Sequence, residues 1–347
     1  MGRELWRRLR SWEGLLAILL IVVLAFNVTR VPNFLTVTNQ INLFQLGIEK
    51  AIVVLVMAFV IINGEIDLSV ASMMGLSAAV VAALFELGVP VPLAILVALG
   101  VGAGFGLING FFVARVGLSS LAVTLAGYVG FRGLARLLVQ DRSVGGFPAW
   151  FTDLGQRGLI GPVTLSILLF ALLAVVAAVA LHASGFGRLA YAVGNSAPAA
   201  RFSGVPVARV KIAIFTLSGL VSALAGVLMA ARLGAVRAST AEGFELDIIT
   251  IVLLGGVSIF GGVGTMLGVL LATYLVLNLR NGLVIAGVTG NTQTGIVGLL
   301  LILSVLLPNL ASGVRAGWRR RSEPEPGLRA PRAGGERAAP TERGVEA

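Results

Sequence analysis

Ten apolar runs, each close to the length of a membrane-crossing helix, constrain this chain more than anything else in it. A spanning helix needs roughly 20 predominantly apolar residues. The runs fall at about 14–29, 40–62, 69–87, 91–114, 119–139, 162–182, 211–233, 245–262, 264–282 and 291–309. Hydrocarbon offers backbone groups no hydrogen-bond partner, so open spans of this length must be helical. The spacing predicts an all-α, polytopic membrane protein with about ten transmembrane helices. Charged residues make up 12% of the chain and the mean hydropathy is +0.97, against about 25% charge in an ordinary soluble domain. Gly255, Gly256, Gly261, Gly262 and Gly264 interrupt the pair 245–262 and 264–282. A re-entrant or broken helix is the alternative to two full spans there, tolerated only where protein or a water-filled path covers it.

The net charge of +10 suggests nucleic acid until its location is considered. Six spans precede the loop 183–211 and four follow it, so that loop and both termini share one side. Seventeen of the 26 Lys and Arg residues fall on that side and eight on the other, with Lys50 inside a run. The positive-inside rule makes the shared side cytoplasmic, although Arg132, Arg136, Arg142 and Arg157 flank one external loop. Nucleic-acid binding is a poor reading. The chain divides into a cytoplasmic segment 1–13, a transmembrane domain 14–310 and a tail 311–347. The tail is rich in Arg, Glu, Pro and Gly and is expected to be disordered. The basic start followed by an apolar run looks like a signal peptide, but no small-x-small site follows Ala25, so the first run is read as an uncleaved span. Trp6, Trp12, Trp150 and Trp318 all fall near span ends, as interfacial anchors do.

Several chemistries are excluded. The chain has no cysteine, which removes disulfides and thiolate metal sites. His182 is the only histidine, so a His-rich metal centre is impossible and a structural role at a span end is favoured. The Gly-rich stretch 255–265 contains no Lys, which a phosphate-gripping Walker A loop requires. Gly102, Gly106 and Gly110, with Gly100 and Gly104 beside them, suit close helix packing instead.

Polar residues inside apolar runs face a bundle interior or an aqueous path. Asn63 to Ser69 joins two runs. Asn63, Asp67 and Ser69 are candidates for a translocation path or gate, or else Asp67 or Ser69 caps a helix at a turn that Gly64 permits. Asn109, Glu245 and Asp247 are further path candidates. Asn109 and Asn278 also suit interhelical hydrogen bonds, and Glu242, Glu245 and Asp247 also suit the positive end of a helix dipole. Glu49 and Lys50 are adjacent and cannot face each other on a helix, so pairing with other helices or with solvent is expected.

The loop from Gly194 to Lys211 is punctuated at both ends. Ser196 is placed to cap a short helix with Pro198 in its first turn. Gly204 ends it and Pro206 prevents its resumption. Arg201, Arg209 and Lys211 make this segment basic, and a stiff basic helix between two spans is a handle for another protein.

Four motifs then resemble one family. GEIDLSVASMMGL at 64–76, GLINGFFVARVGLSSLAVTLAGY at 106–128, GNSAPAARFSGVPVARVK from 194, and ELDIITIVLLGGVSIFGGVGTMLG at 245–268 together resemble the permease subunits of bacterial ABC importers for monosaccharides. The likeness covers roughly residues 12 to 310. The ribose, rhamnose and autoinducer-2 permeases are most similar, and GGFPAWFTDLG at 145–155 is similar to the rhamnose and autoinducer-2 branch. Glu65 departs from the small residue many relatives have. The resemblance implies a helical bundle of the type II importer kind in the bacterial inner membrane. Partner ABC ATPases would carry ATP and Mg, a second permease would complete the path, and an extracytoplasmic solute-binding protein would deliver the solute. It also implies an ATPase-coupling helix comprising Gly194, Asn195, Ser196, Ala200, Arg201, Ser203, Gly204 and Val205. No cofactor on this chain and no catalytic constellation are expected. Permeases for branched-chain amino acids or nucleosides belong to the same broader group. An ion-coupled secondary transporter would need midplane ion ligands and inverted repeats, and neither is evident.

Overall fold

A computed structural model describes residues 12–30, 34–140 and 142–290, together with residues 292, 293, 295, 296, 298, 299 and 302. Residues 1–11 with Trp6, the tail 311–347 with Trp318, and most of the run 291–309 lie outside the described residues. Helices α1 (Trp12–Arg30), α2 (Val37–Ile62), α3 (Val70–Glu86), α4 (Val91–Phe111) and α5 (Ser120–Val139) follow one another through short connections. A π-helical turn, Phe112–Val116, prolongs α4. Strand β1 (Val144–Gly145), helix α6 (Ala149–Gln156) and the hairpin β2 (Gly158–Ile160) and β3 (Val163–Thr164) lead to α7 (Leu165–His182). The basic loop holds α8 (Gly185–Asn195) and α9 (Ala197–Phe202). Then come α10 (Val207–Leu233), β4 (Ala235–Val236), α11 (Phe244–Leu254) and α12 (Met266–Ile285).

Helix starts follow their local chemistry. The side chains of Thr36, Ser184 and Thr265 each accept a hydrogen bond from the backbone N–H three residues on, relieving donors that a helix leaves unpaired in its first turn. Pro90 precedes α4 and Pro148 precedes α6, where extended backbone and a missing N–H cost nothing. Among the described residues, α1, α2, α4 with its π-helical extension, α5, α7, α10 and α12 are long and apolar enough to cross a membrane, and α3 is a shorter apolar helix.

Helix α10 is central, packed against α4, α3 and α2. Its crossing with α4 depends on absent side chains. A β-carbon on Gly106 would overlap the Phe215 carbonyl oxygen, one on Gly102 would overlap Ala223 Cβ, and one on Gly110 would sit 2.9 Å from Ile212 Cα. Gly219 on α10 answers them, since a β-carbon there would meet the Gly102 carbonyl. This is close backbone approach of the kind small residues permit in membranes. Gly100 and Gly104 take no part, because a β-carbon on either meets nothing within 4 Å. At 100° per residue they fall on the outward side of α4.

The run 245–262 is not a full span. Helix α11 stops at Leu254, and residues 255–265 are irregular, with positive φ at Gly256, Gly261, Gly262 and Gly264. Protein covers part of the segment, while Phe260 and Val263 stay 81% and 60% exposed. Gly262 N–H donates to the Ile62 carbonyl at 2.8 Å, and Tyr191 Oη donates to the Gly264 carbonyl at 2.6 Å. His182 is structural here, its Nε2 accepting from Met266 N–H at 3.1 Å as α12 begins.

Candidate functional site

The turn from Asn63 to Ser69 lies where α2, α3, α4, α5 and α10 meet. Asn63 is 2% exposed and both its side-chain polar atoms lack a partner. Gly64 has φ 80°, a left-handed conformation natural to glycine. Asp67 is 2% exposed. Its Oδ1 accepts from Ser69 N–H at 2.9 Å and Ser69 Oγ at 2.6 Å, and its Oδ2 accepts from Ser218 Oγ of α10 at 2.8 Å. Asn109 Nδ2 of α4 donates to Ser69 Oγ at 3.2 Å. The turn is stitched to α5 as well: Ile66 N–H donates to Ser120 Oγ, and Leu68 N–H donates to Thr124 Oγ1, whose hydroxyl donates to the Ser120 carbonyl of its own helix at 2.8 Å. Three path candidates, Asp67, Ser69 and Asn109, therefore form one buried network. Ser218, the residue that ties it to α10, was not distinguishable from other span serines in the sequence. Ser69 occupies the N-cap position of α3 but makes no side-chain cap bond, because its hydroxyl is committed to Asp67.

The Glu65 carboxylate pairs with Lys211 Nζ, and these side chains are 11% and 17% exposed. They border a cavity of about 630 Å³ whose wall includes Ala114, Ser119, Ala197 and Arg201. Gly194 and Asn195, at the end of α8, press on this same region. A β-carbon on Gly194 would overlap the Ile62 carbonyl, and one on Gly262 would sit 2.9 Å from Asn195 Cα. The next helix, α9, has the local form the residues dictate. Ser196 Oγ accepts from Ala199 N–H at 3.2 Å, Ser203 Oγ donates to the Ala199 carbonyl at 3.1 Å, and Gly204 has φ 80°. Val205 N–H donates to the Ala200 carbonyl at 3.0 Å, closing the helix end. Ala200 is buried, which seats α9 on the bundle. Arg201 points outward, and Phe202 beside it is 94% exposed. Phe202 carried no assigned role in the sequence, although a single large aromatic in the short, otherwise small-residue helix APAARF was a signal.

A second cluster involves α2, α10, α11 and α12. Arg232 donates through Nε and Nη2 to the two Glu49 oxygens at 2.6 and 3.2 Å. Asp247 receives Lys50 Nζ at 2.9 Å and Arg280 Nη2 at 2.6 Å, and Lys50 also lies 4.3 Å from the Phe244 ring centroid. Glu49 and Lys50 thus pair with different helices. Glu245 and Asp247 both sit in the first turn of α11, but only Asp247 joins the cluster. Glu245 is 8% exposed and its Oε2 has no partner. Arg132, which the sequence placed at a loop flank, is buried on α5, where its Nη1 donates to the Ala238 and Thr240 carbonyls at 2.6 and 2.8 Å. The side chain of Asn278 bonds the Tyr274 carbonyl within its own helix, while its carbonyl accepts from Asn27 Nδ2 of α1. Among the described residues no cluster of His, Asp and Glu is arranged to hold a metal ion.

A bundle with seven helices, among its described residues, long and apolar enough to cross a membrane is that of a multi-pass membrane protein, and comparison with known proteins makes it a transport subunit. The chain belongs to the branched-chain amino acid transport system permease component family, whose model matches residues 39–305. It is 36% identical over 308 residues to the autoinducer 2 import system permease protein LsrD of Salmonella paratyphi A (strain ATCC 9150 / SARB42), covering 87% of this chain and 92% of that protein. It is 37% identical over 304 residues to the protein of the same name from Escherichia coli O9:H4 (strain HS), covering 85% and 91%. No solved structure matches the chain.

Proposed function

We propose that this chain is the membrane-spanning permease subunit of an ATP-binding-cassette importer and carries a monosaccharide-like solute of the autoinducer 2 kind. The relatives' import role and their identity over most of both chains support the solute class. The observation that carries the machine class is α9. It is a single capped turn and a half, seated by buried Ala200, that presents Arg201 and Phe202 outward. Aromatic and Arg side chains are enriched at protein interfaces, where binding removes them from water, and this chain has no phosphate-gripping loop of its own. On this reading Gly194, Asn195, Ser196, Ala200, Arg201, Ser203, Gly204 and Val205 form the ATPase-coupling segment, with ATP and Mg bound by the partner ATPases. A second permease and an extracytoplasmic solute-binding protein complete the assembly. Both termini and α9 face the cytoplasm of a bacterial cell, in its inner membrane, and Asn63, Asp67, Ser69, Asn109, Glu245 and Asp247 serve the path.

The test is uptake of labelled autoinducer 2 into proteoliposomes holding the chain with its ATPase and binding protein. ATP-dependent uptake that autoinducer 2 saturates is the expected result. Uptake of leucine but not autoinducer 2 would favour the branched-chain amino acid reading that the family description suggests. Accumulation driven by an ion gradient without the ATPase would overturn the importer.

A further inference from the structure

Helix α10 grips the 63–69 turn at two points seven residues apart. Lys211 holds Glu65 and Ser218 holds Asp67. Seven residues are two helical turns, so the two grips lie on one face, roughly 10 Å apart. They differ in surroundings. Asp67 is 2% exposed and fully bonded among protein groups, so its release would strand a carboxylate away from water. The Glu65–Lys211 pair instead borders the 630 Å³ cavity, which has room for on the order of twenty waters at about 30 Å³ each. Both charges can therefore be hydrated when they part. Of the two, the Lys211 grip is the less costly to release.

The cavity also shows what would release it. Ala197 and Arg201 of α9 form part of its wall, and only Ser203 to Pro206 separate α9 from α10. Gly204 is set by its left-handed turn and Pro206 has a fixed φ, so the connection is short and stiff. Displacement of α9 is delivered to the start of α10, where Lys211 lies in the second turn. From there it reaches the turn that carries Asp67 and Ser69 and is bonded to α5 through Ser120 and Thr124.

We infer that Glu65 and Lys211 are positioning residues for transport, a releasable strut through which movement of α9 changes the seating of the 63–69 turn. The inference rests on the reading of α9 as the ATPase contact. The pair touches neither nucleotide nor the ATPase in this scheme. Its loss separates hydrolysis from transport instead of abolishing both.

The experiment measures ATP hydrolysed per autoinducer 2 imported, in proteoliposomes holding the full chain with its ATPase and binding protein. Glu65→Gln and Lys211→Met each raise that ratio at least tenfold, and the exchange Glu65→Lys with Lys211→Glu brings it back to within about threefold of the parent. Single variants with the parental ratio overturn the strut, as does an exchange no better than its singles. A second measurement stands even if those variants fold poorly. Because the chain has no cysteine, Ala114→Cys places one thiol in the cavity wall, and its maleimide labelling rate changes at least threefold between the ATP-free and vanadate-trapped complexes. An equal rate in both states overturns the inference. A parental complex that imports nothing with ATP overturns the permease reading itself, a different result from a parent that imports normally beside equally competent variants.

Discussion

Ser218 donates its hydroxyl hydrogen to Asp67 Oδ2 at 2.8 Å, joining the middle of α10 to a turn 151 residues earlier in the chain. Both residues are at most 2% exposed, so neither can exchange this bond for one to water. A buried polar group left without its hydrogen-bond partner costs about 1–3 kcal/mol. Ser218→Ala is expected to destabilise the folded chain by that order, and Asp67→Ala by more, because it also strands Ser69 and Ser218. Thermal unfolding in detergent, followed by tryptophan fluorescence, measures both. An unchanged midpoint for Asp67→Ala would mean that the buried network contributes nothing to stability.

The α4–α10 crossing separates two glycines of one helix by their surroundings. Gly106→Ala places a methyl group onto the Phe215 carbonyl, whereas Gly104→Ala meets open space. Overpacking costs about 1–3 kcal/mol, while an alanine in an unobstructed helix position is slightly favourable. Gly106→Ala is expected to lower the melting midpoint and shift the chain toward aggregates in size-exclusion chromatography, with Gly104→Ala behaving like the parent or better. Equal behaviour would contradict the close crossing.

Phe202 is 94% exposed on α9, so its truncation removes little packing from the fold, and on the proposed reading it anchors the partner ATPase. Phe202→Ala is expected to weaken ATPase capture at least tenfold, with an unchanged melting midpoint. A truncation at an interface anchor typically costs about 2 kcal/mol or more. Arg201→Glu replaces a fork of donors by a repelling carboxylate and is expected to act in the same direction. A quantitative pull-down with the purified ATPase decides, and full capture by both variants would make α9 an ordinary connector.

Orientation is directly measurable in a chain without cysteine. Ala199→Cys lies in α9 and Arg157→Cys lies just after α6, on opposite sides of the single span α7. An impermeant maleimide added to intact spheroplasts is expected to label position 157 and spare position 199 until the membrane is opened. Labelling of position 199 from outside would invert the topology.

Local features of this fold were readable because they depend on neighbours in sequence. The cap at Ser196, the left-handed end at Gly204 and the small face made by Gly102, Gly106 and Gly110 each need only a few adjacent residues. The interruption of the pair 245–262 and 264–282 was visible as five glycines, but whether such a stretch crosses or folds back depends on what covers it. Here the cover comes from Ile62, Tyr191 and Asn195.

By itself the sequence determined that this is a helical membrane protein, where its apolar runs lie, and which short segment between them is stiff and basic. Run length and cap chemistry are enough for that, since hydrocarbon forces each run to satisfy its own backbone. Only the tertiary structure decided that Glu49 meets Arg232, that Asp247 gathers Lys50 and Arg280, and that Lys211 reaches Glu65. In a chain that is apolar on almost every helical face, hydropathy carries no information about which face turns inward. Polar partners are then chosen by how the helices cross, and close packing at glycines such as Gly106 and Gly219 sets those crossings.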